Sequence, residues 1–262
     1  THAPLWRAQR NSQCRRLALL RPVIVHDGGF ATRRWRYGGN LSAHFSFPAL
    51  FNTPVSRKGL RAENAMTQEL KDLYRDVLAC QLCRAELPLG PRPVLQVSSR
   101  ARLLVAGQAP GIRVHQSGIP FDDPSGDRLR EWLGVDKATF YNPELIALLP
   151  MAFCYPGRGK SGDLPPPPRC AVHWRQALLE QMPNIGLTLC LGQYAQGWHL
   201  DRREKNLTET VRQWRNYGEH LMPLPHPSPR NNGWLKNNPW FAEELVPALQ
   251  QRVARLLSAD VL

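Results

Sequence analysis

The chain has 262 residues, of which 42% are hydrophobic and 21% charged. That is enough for one large domain, or a domain with an appendage, around an apolar core. No run approaches the roughly 18 apolar residues of a membrane span, and no basic, then apolar, then small-residue leader opens the sequence, so a cytoplasmic protein is expected. The net charge of +13 is uneven: residues 1–65 hold 11 Lys and Arg against Asp27 and Glu63, a net +9, and the rest of the chain is only +4. Such charge permits a nucleic-acid partner without strongly arguing for one.

Residues 1–65 scatter Arg and Trp among Gly-Gly and Pro breaks with no sustained period. They are expected to be a basic arm, disordered or a non-native extension, with Met66 as the natural start of a domain over 66–262. The segment 66–80 is the first clean helix, with Leu70, Leu73, Tyr74, Val77 and Leu78 on one face. Residues 101–107 read as a buried strand and 126–135 as a helix. A strand is expected in the apolar run 145–153, a helix over 170–182 and a buried strand over 187–192. A helical stretch at 194–200, a helix or long excursion over 206–218 and a short strand over 220–225 follow. A closing helix over 238–258 has Asn238 and Pro239 at its cap and first turn. Continuous apolar strands separated by helices predict an α/β fold, a three-layer αβα arrangement around a mostly parallel sheet of about four strands. Loops leaving the C-terminal strand ends then form the binding crevice.

Two motif-bearing loops sit at such ends. Gly107-Gln108-Ala109-Pro110-Gly111 follows the first strand, and its glycines allow a ligand close to the backbone. On its own it also reads as an ordinary turn. His226-Pro227-Ser228-Pro229-Arg230-Asn231 follows the last strand, where two prolines stiffen the loop. His226 can act as a neutral donor near neutral pH, and Arg230 can meet phosphate.

The six cysteines are Cys14, Cys80, Cys83, Cys154, Cys170 and Cys190. Cys80 and Cys83 form a CxxC at a helix end, with Cys154 and Cys170 further along. Four thiolates suit a [4Fe–4S] cluster or a tetrahedral zinc ion, and unligated thiols are the bland alternative. Cys190 falls mid-strand, in the core. The run Gly157-Arg158-Gly159-Lys160-Ser161 imitates a phosphate-binding P-loop, but Cys154 occupies the place of the required first glycine. It reads as a basic loop leading into Pro165–Pro168, either solvated or touching phosphates.

The first loop, Pro120-Phe121 shortly after it, Leu191-Gly192 after a strand, and HPSPRN followed by Gly233-Trp234 together resemble the uracil-DNA glycosylase superfamily, in order and spacing from about Cys80 to Trp234. The last motif resembles the single-strand-selective branch, and the cysteine spacing resembles the iron–sulfur branch. That likeness favours a [4Fe–4S] cluster on Cys80, Cys83, Cys154 and Cys170 over zinc. The resemblance implies a monomeric, nucleoid-associated enzyme that flips uracil, or another deaminated base, out of single- or double-stranded DNA and hydrolyses its N-glycosidic bond. His226 would donate to the base and Gln108 would sit by the attacking water. Gly107, Ala109, Pro110, Gly111, Phe121 and Asp122 would bind substrate, while Ser228, Pro229, Arg230 and Asn231 would hold DNA.

The chain departs from that pattern in two ways. Gln108 and Ala109 stand where active branches carry a carboxylate, with Asp122 and Asp123 as the nearest substitutes. Leu149-Pro150-Met151 stands where an asparagine would read uracil, and Asn142 lies eight residues earlier. Hypoxanthine, xanthine, or a damaged-DNA-binding module without excision therefore stay open.

Overall fold

The computed structural model describes residues 66–160 and 162–258. The expected arm over 1–65 and Cys14 lie outside the described residues. Thr67 caps α1 (Gln68–Leu78), its Oγ accepting the Leu70 N–H at 3.2 Å. Leu70 and Val77 are fully buried, whereas Leu78, at the edge of the apolar stripe, is 46% exposed.

In chain order the strands are β1 (Leu103–Ala106), β2 (Ile146–Leu148), β3 (Arg158–Gly159), β4 (Gly162–Asp163), β5 (Leu187–Leu191) and β6 (Leu221–Leu224). Four of them form an all-parallel sheet in the order β2-β1-β5-β6, and β3 and β4 pair as a separate antiparallel hairpin. Alternation along the strands feeds two cores. Leu103, Val105, Ile146, Leu148, Leu187, Leu189 and Leu191 face one side, and Leu104, Ala147 and Leu149 face the other. A sheet buried on both faces explains why these strands read as continuous apolar runs. Pro223 is accommodated because β6 is an edge strand.

The remaining helices are α2 (Ile112–Ser117), α3 (Pro124–Leu133), α4 (Lys137–Phe140), α5 over 168–180, α6 (Gly192–His199), α7 (Leu207–Arg212), α8 (Asn232–Asn237) and α9 over 241–258. The side of the sheet lined by Leu103 and Ile146 packs against Leu129 and Trp132 of α3 and Phe241, Leu245 and Leu249 of α9. The opposite side packs against Leu70 and Val77 of α1 and Leu178 of α5. These are the three layers expected. Among the described residues no helix is long and apolar enough to cross a membrane.

Three elements differ from expectation. The apolar run 145–153 is strand only to Leu148. Beyond it Pro150 has no N–H to donate, yet Met151 and Ala152 still donate to the Gly107 and Gln108 carbonyls. Over 206–218, expected as a helix or a long excursion, the helix stops at Arg212 and a 3₁₀ turn, Trp214–Tyr217, follows. Arg158 and Gly159 of the expected basic loop belong instead to the β3–β4 hairpin, closed by Arg158↔Asp163 and Gly159↔Gly162 pairs.

The turn into α3 is tightly built. Asp123 is the N-cap, its Oδ1 accepting the Gly126 N–H at 3.0 Å, and Pro124 takes the first helical position. Phe121 just before it has φ of 57°, a left-handed conformation costly for a residue with a bulky side chain. A Cβ on Gly126 would overlap the Phe121 carbonyl oxygen. Gly126→Ala is therefore expected to cost about 1–3 kcal/mol, checked by urea unfolding.

Candidate active site

The C-terminal ends of three adjacent strands converge. Gly107 leaves β1, Gly192 leaves β5, and Pro225-His226 leaves β6. Gly192 has φ of +74°, and a Cβ there would lie 3.6 Å from the His226 Cβ. A Cβ on Gly107 would lie 3.2 Å from Cζ of Phe121 and 4.0 Å from Pro150. Phe121 therefore closes over the first loop. Its ring meets Phe140 edge-on at 6.1 Å, so a buried aromatic of α4 backs it.

His226 is partly buried, and its Nδ1 accepts the Ser228 backbone N–H at 3.2 Å. A backbone N–H can only donate, so Nδ1 is unprotonated and the single proton of the neutral ring sits on Nε2. Burial holds the His226 pKa below its ordinary value, partly offset by the carboxylates of Asp123 and Asp163. The loop around it is clamped from several sides. The Asn231 side-chain amide donates to the His226 carbonyl at 2.6 Å. Arg128 of α3 donates to the Pro227 and Ser228 carbonyls at 3.3 and 3.0 Å and to Asn232 Oδ1 at 2.8 Å. Buried Gln196 of α6 donates to the Leu224 carbonyl at 3.0 Å, fixing the strand end that launches His226.

Ser228 Oγ accepts the Arg230 N–H at 3.3 Å and so caps the turn Pro229–Asn231, keeping its own hydroxyl proton to donate. Pro229 and Arg230 are exposed, and the Arg230 guanidinium lies against Gly162 of the hairpin. Gln108 Nε2 donates to the Leu164 carbonyl at 3.4 Å, linking the first loop to the same hairpin. Pro110 is buried, Ala109 packs into the α1–α5 core, and Gly111 caps α2. A Cβ on Gly111 would lie 3.6 Å from Asp163 Oδ2 and 3.9 Å from Asp123 Oδ2. Asp122 acts electrostatically on Tyr141, on the α4 side, whereas Asp123 reaches both Tyr141 and His226. Asn142 precedes β2 and so stands at the far end of the sheet, its side chain accepting the Glu144 N–H at 3.0 Å.

Cys80, Cys83, Cys154 and Cys170 line one pocket together with Phe153 and Trp174. Cys80 Sγ accepts the Trp174 indole N–H at 3.3 Å and the Leu82 backbone N–H at 3.5 Å. Burial pushes the Cys154 thiol up to about 11 and Cys170 to about 12. Among the described residues no three His, Cys, Asp or Glu side chains are grouped closely enough, as placed, to hold one metal ion. Cys190 is fully buried in β5, as expected of a core residue.

A family model for the Uracil DNA glycosylase superfamily matches residues 95–250, a span holding the first loop, Phe121, Gly192 and His226. The chain belongs to the uracil-DNA glycosylase superfamily. Its general role is DNA repair by base excision of that kind, and DNA is the partner that membership implies. Cys80 and Cys83 precede the matched span, and Cys154 and Cys170 lie within it.

Four residues of this glycosylase-superfamily site carry no motif that would single them out. Arg128 and Gln196 sit on stretches read as helical with no role for either side chain. Fully buried Arg175 of α5 donates to the Leu149 and Pro150 carbonyls at 3.0 Å each and to His199 Nε2 at 3.1 Å, so it pins the segment behind Gly107. It sits at the end of a π turn, Ala171–Arg175, which periodicity does not foresee. Asp163 lies between the run read as a basic loop and the prolines that follow it.

Because the fold keeps His226 neutral, its native pKa lies below the unfolded value of about 6.5. Its contribution to stability is complete above that pH and is lost as pH falls below it, where the unfolded chain takes up the proton first. Nitrogen-15 NMR of the imidazole is expected to show an Nε2–H ring and a titration midpoint below about 6.5; an Nδ1–H ring would contradict the clamp.

Proposed function

We propose that this protein is a monofunctional DNA glycosylase that hydrolyses the N-glycosidic bond of uracil, or another deaminated base, after flipping it from DNA. The observation that carries the reading is the Ser228 N–H bond to His226 Nδ1. It leaves Nε2–H as the donor of a neutral ring that lies within electrostatic reach of Asp123 and Asp163.

Flipping costs a few kcal/mol and exposes the base to a pocket. As the glycosidic bond breaks, negative charge spreads over the base, and a prealigned donor stabilises that charge more than the ground state. His226 Nε2–H would serve the carbonyl oxygen beside the leaving nitrogen. Phe121, held at its strained φ, would stack on the base, and the 107–111 backbone with Gln108 would border the sugar. The Ser228 hydroxyl, Pro229, Arg230 and Asn231 would hold the strand. Arg230, exposed beside the hairpin, can meet phosphate or fill the gap left by the base. With Asn142 at the opposite end of the sheet, the crevice lacks the asparagine that relatives would use for uracil, which widens the candidate bases to hypoxanthine and xanthine.

Cys80, Cys83, Cys154 and Cys170 fit a [4Fe–4S] cluster on two grounds. Four thiols line one pocket, the number a cluster takes, and the likeness in cysteine spacing favours a cluster over zinc. Two N–H groups already point at Cys80 Sγ, as sulfur ligands of a cluster require. When bound, the cluster would tie the 80–83 turn to the 154–170 segment, and the positive centre would stabilise the Cys154 and Cys170 thiolates against the burial that pushes those thiols up.

Incubation with single-stranded and duplex oligonucleotides containing uracil, hypoxanthine or xanthine, followed by alkaline cleavage, tests the reading. The wild type should release base from at least one, and His226→Ala should cut kcat by about 10²–10³-fold with oligonucleotide binding retained. Binding without release from any of them would leave a damaged-DNA-binding module. Separately, elemental analysis of purified protein should find iron rather than zinc, with visible absorbance that bleaches on reduction. Cys83→Ser and Cys170→Ser should both lose it, and protein carrying neither metal would remove the cluster.

A further inference from the structure

We propose that Asp163, brought to the crevice by the β3–β4 hairpin, is the catalytic carboxylate that directs the attacking water and faces the developing cationic sugar. The inference rests on the excision reading above and supplies what the first loop lacks, since Gln108 and Ala109 carry no negative charge there.

The placement is specific. Asp163 Oδ2 would stand 3.6 Å from a Cβ on Gly111, at the end of the loop bordering the sugar. Gln108 donates to the Leu164 carbonyl and Arg230 lies against Gly162, so residues on both sides of Asp163 are held to the two motif loops. Asp163 is exposed, and among the described residues its carboxylate carries no hydrogen bond or ion pair. Asp123 is the other carboxylate at this point, but its Oδ1 is engaged as the cap of α3 at 3.0 Å from the Gly126 N–H. A carboxylate committed to a cap is held in one orientation and is the poorer proton acceptor. Asp163 has both oxygens available for water.

In the step proposed, the water oxygen forms a bond to the sugar C1′ while the bond from C1′ to the glycosidic nitrogen breaks. The bonding pair leaves with the base, whose anion is met by His226 Nε2–H. One water proton passes to the Asp163 carboxylate and from there to solvent, and the released base takes a proton from solvent, so the net reaction is hydrolysis. Before the water bonds, charge on the sugar is positive, and a carboxylate within a few ångströms lowers its energy.

The test compares the full-length wild type with Asp163→Asn and Asp163→Glu. In single-turnover excision, Asp163→Asn should slow release by about a hundredfold or more while affinity for the same oligonucleotide is unchanged, and Asp163→Glu should recover part of the rate. A second readout uses oligonucleotides carrying a cationic pyrrolidine or a neutral tetrahydrofuran in place of the nucleoside. The wild type should prefer the cationic one, and Asp163→Asn should abolish the preference without altering the melting temperature. A purely structural role would weaken both mimics alike. If Asp163→Asn stays within about threefold of wild type in rate and keeps the cationic preference, the assignment is overturned. If the wild type releases no base, the excision reading fails by itself, and the mimic pair still decides whether Asp163 faces the sugar.

Discussion

The site depends on where one imidazole keeps its proton. A hydrogen bond from the Ser228 backbone, at 3.2 Å, takes up Nδ1 of His226 and leaves Nε2 as the donor. Protonating Nδ1 would set an N–H against an N–H in a partly buried place, so the geometry and the depressed basicity of the ring express the same constraint. The surrounding side chains hold the loop that makes this bond. Asn231, Arg128 and Gln196 each donate to a backbone carbonyl within or just before the HPSPRN turn, satisfying polar groups that an irregular buried loop would otherwise leave unpaired.

The rim is rigid because its parts are shared. Helix α3 begins at a cap that also supplies a carboxylate near Gly111, and its Arg128 reaches over to the loop after β6. The turn into α3 holds Phe121 at positive φ over Gly107. On the other face of the sheet, the guanidinium of Arg175 is buried against two carbonyls and a histidine with no carboxylate among these partners, and burial pulls its pKa down to about 10. A buried charge is expensive. Here it orders the segment where Pro150 interrupts the strand, directly behind the first loop.

The layers of the fold were legible in the sequence because strands buried on both faces must be apolar throughout, and the helices between them keep a 3.6-residue period. The two motif loops and Phe121 were legible as short strings after strands. The hairpin was not, because four of its residues make only two cross-strand pairs and Gly159 and Gly162 carry no pattern of alternation. Asp163 was hidden for that reason, within a run whose charge is mostly positive. Arg128, Gln196 and Arg175 act through backbone carbonyls, which any donor of suitable length could reach, so their identity carries no local signal. The four cysteines were legible as a set, whereas the distances among them belong to tertiary structure.

The hairpin lies between Cys154 and Cys170, two thiols that open on the same cavity. Gly157 abuts Pro88, shortly after Cys83, and Leu164 packs over Gly157 and Gly159. The segment is thus a closed loop whose ends meet at the pocket and whose Asp163 lies beside Gly111. Joining loop ends removes much of the chain's freedom. A chemical change to those sulfur atoms therefore also bears on how firmly the loops beside Gly111 are held, at a place it never touches.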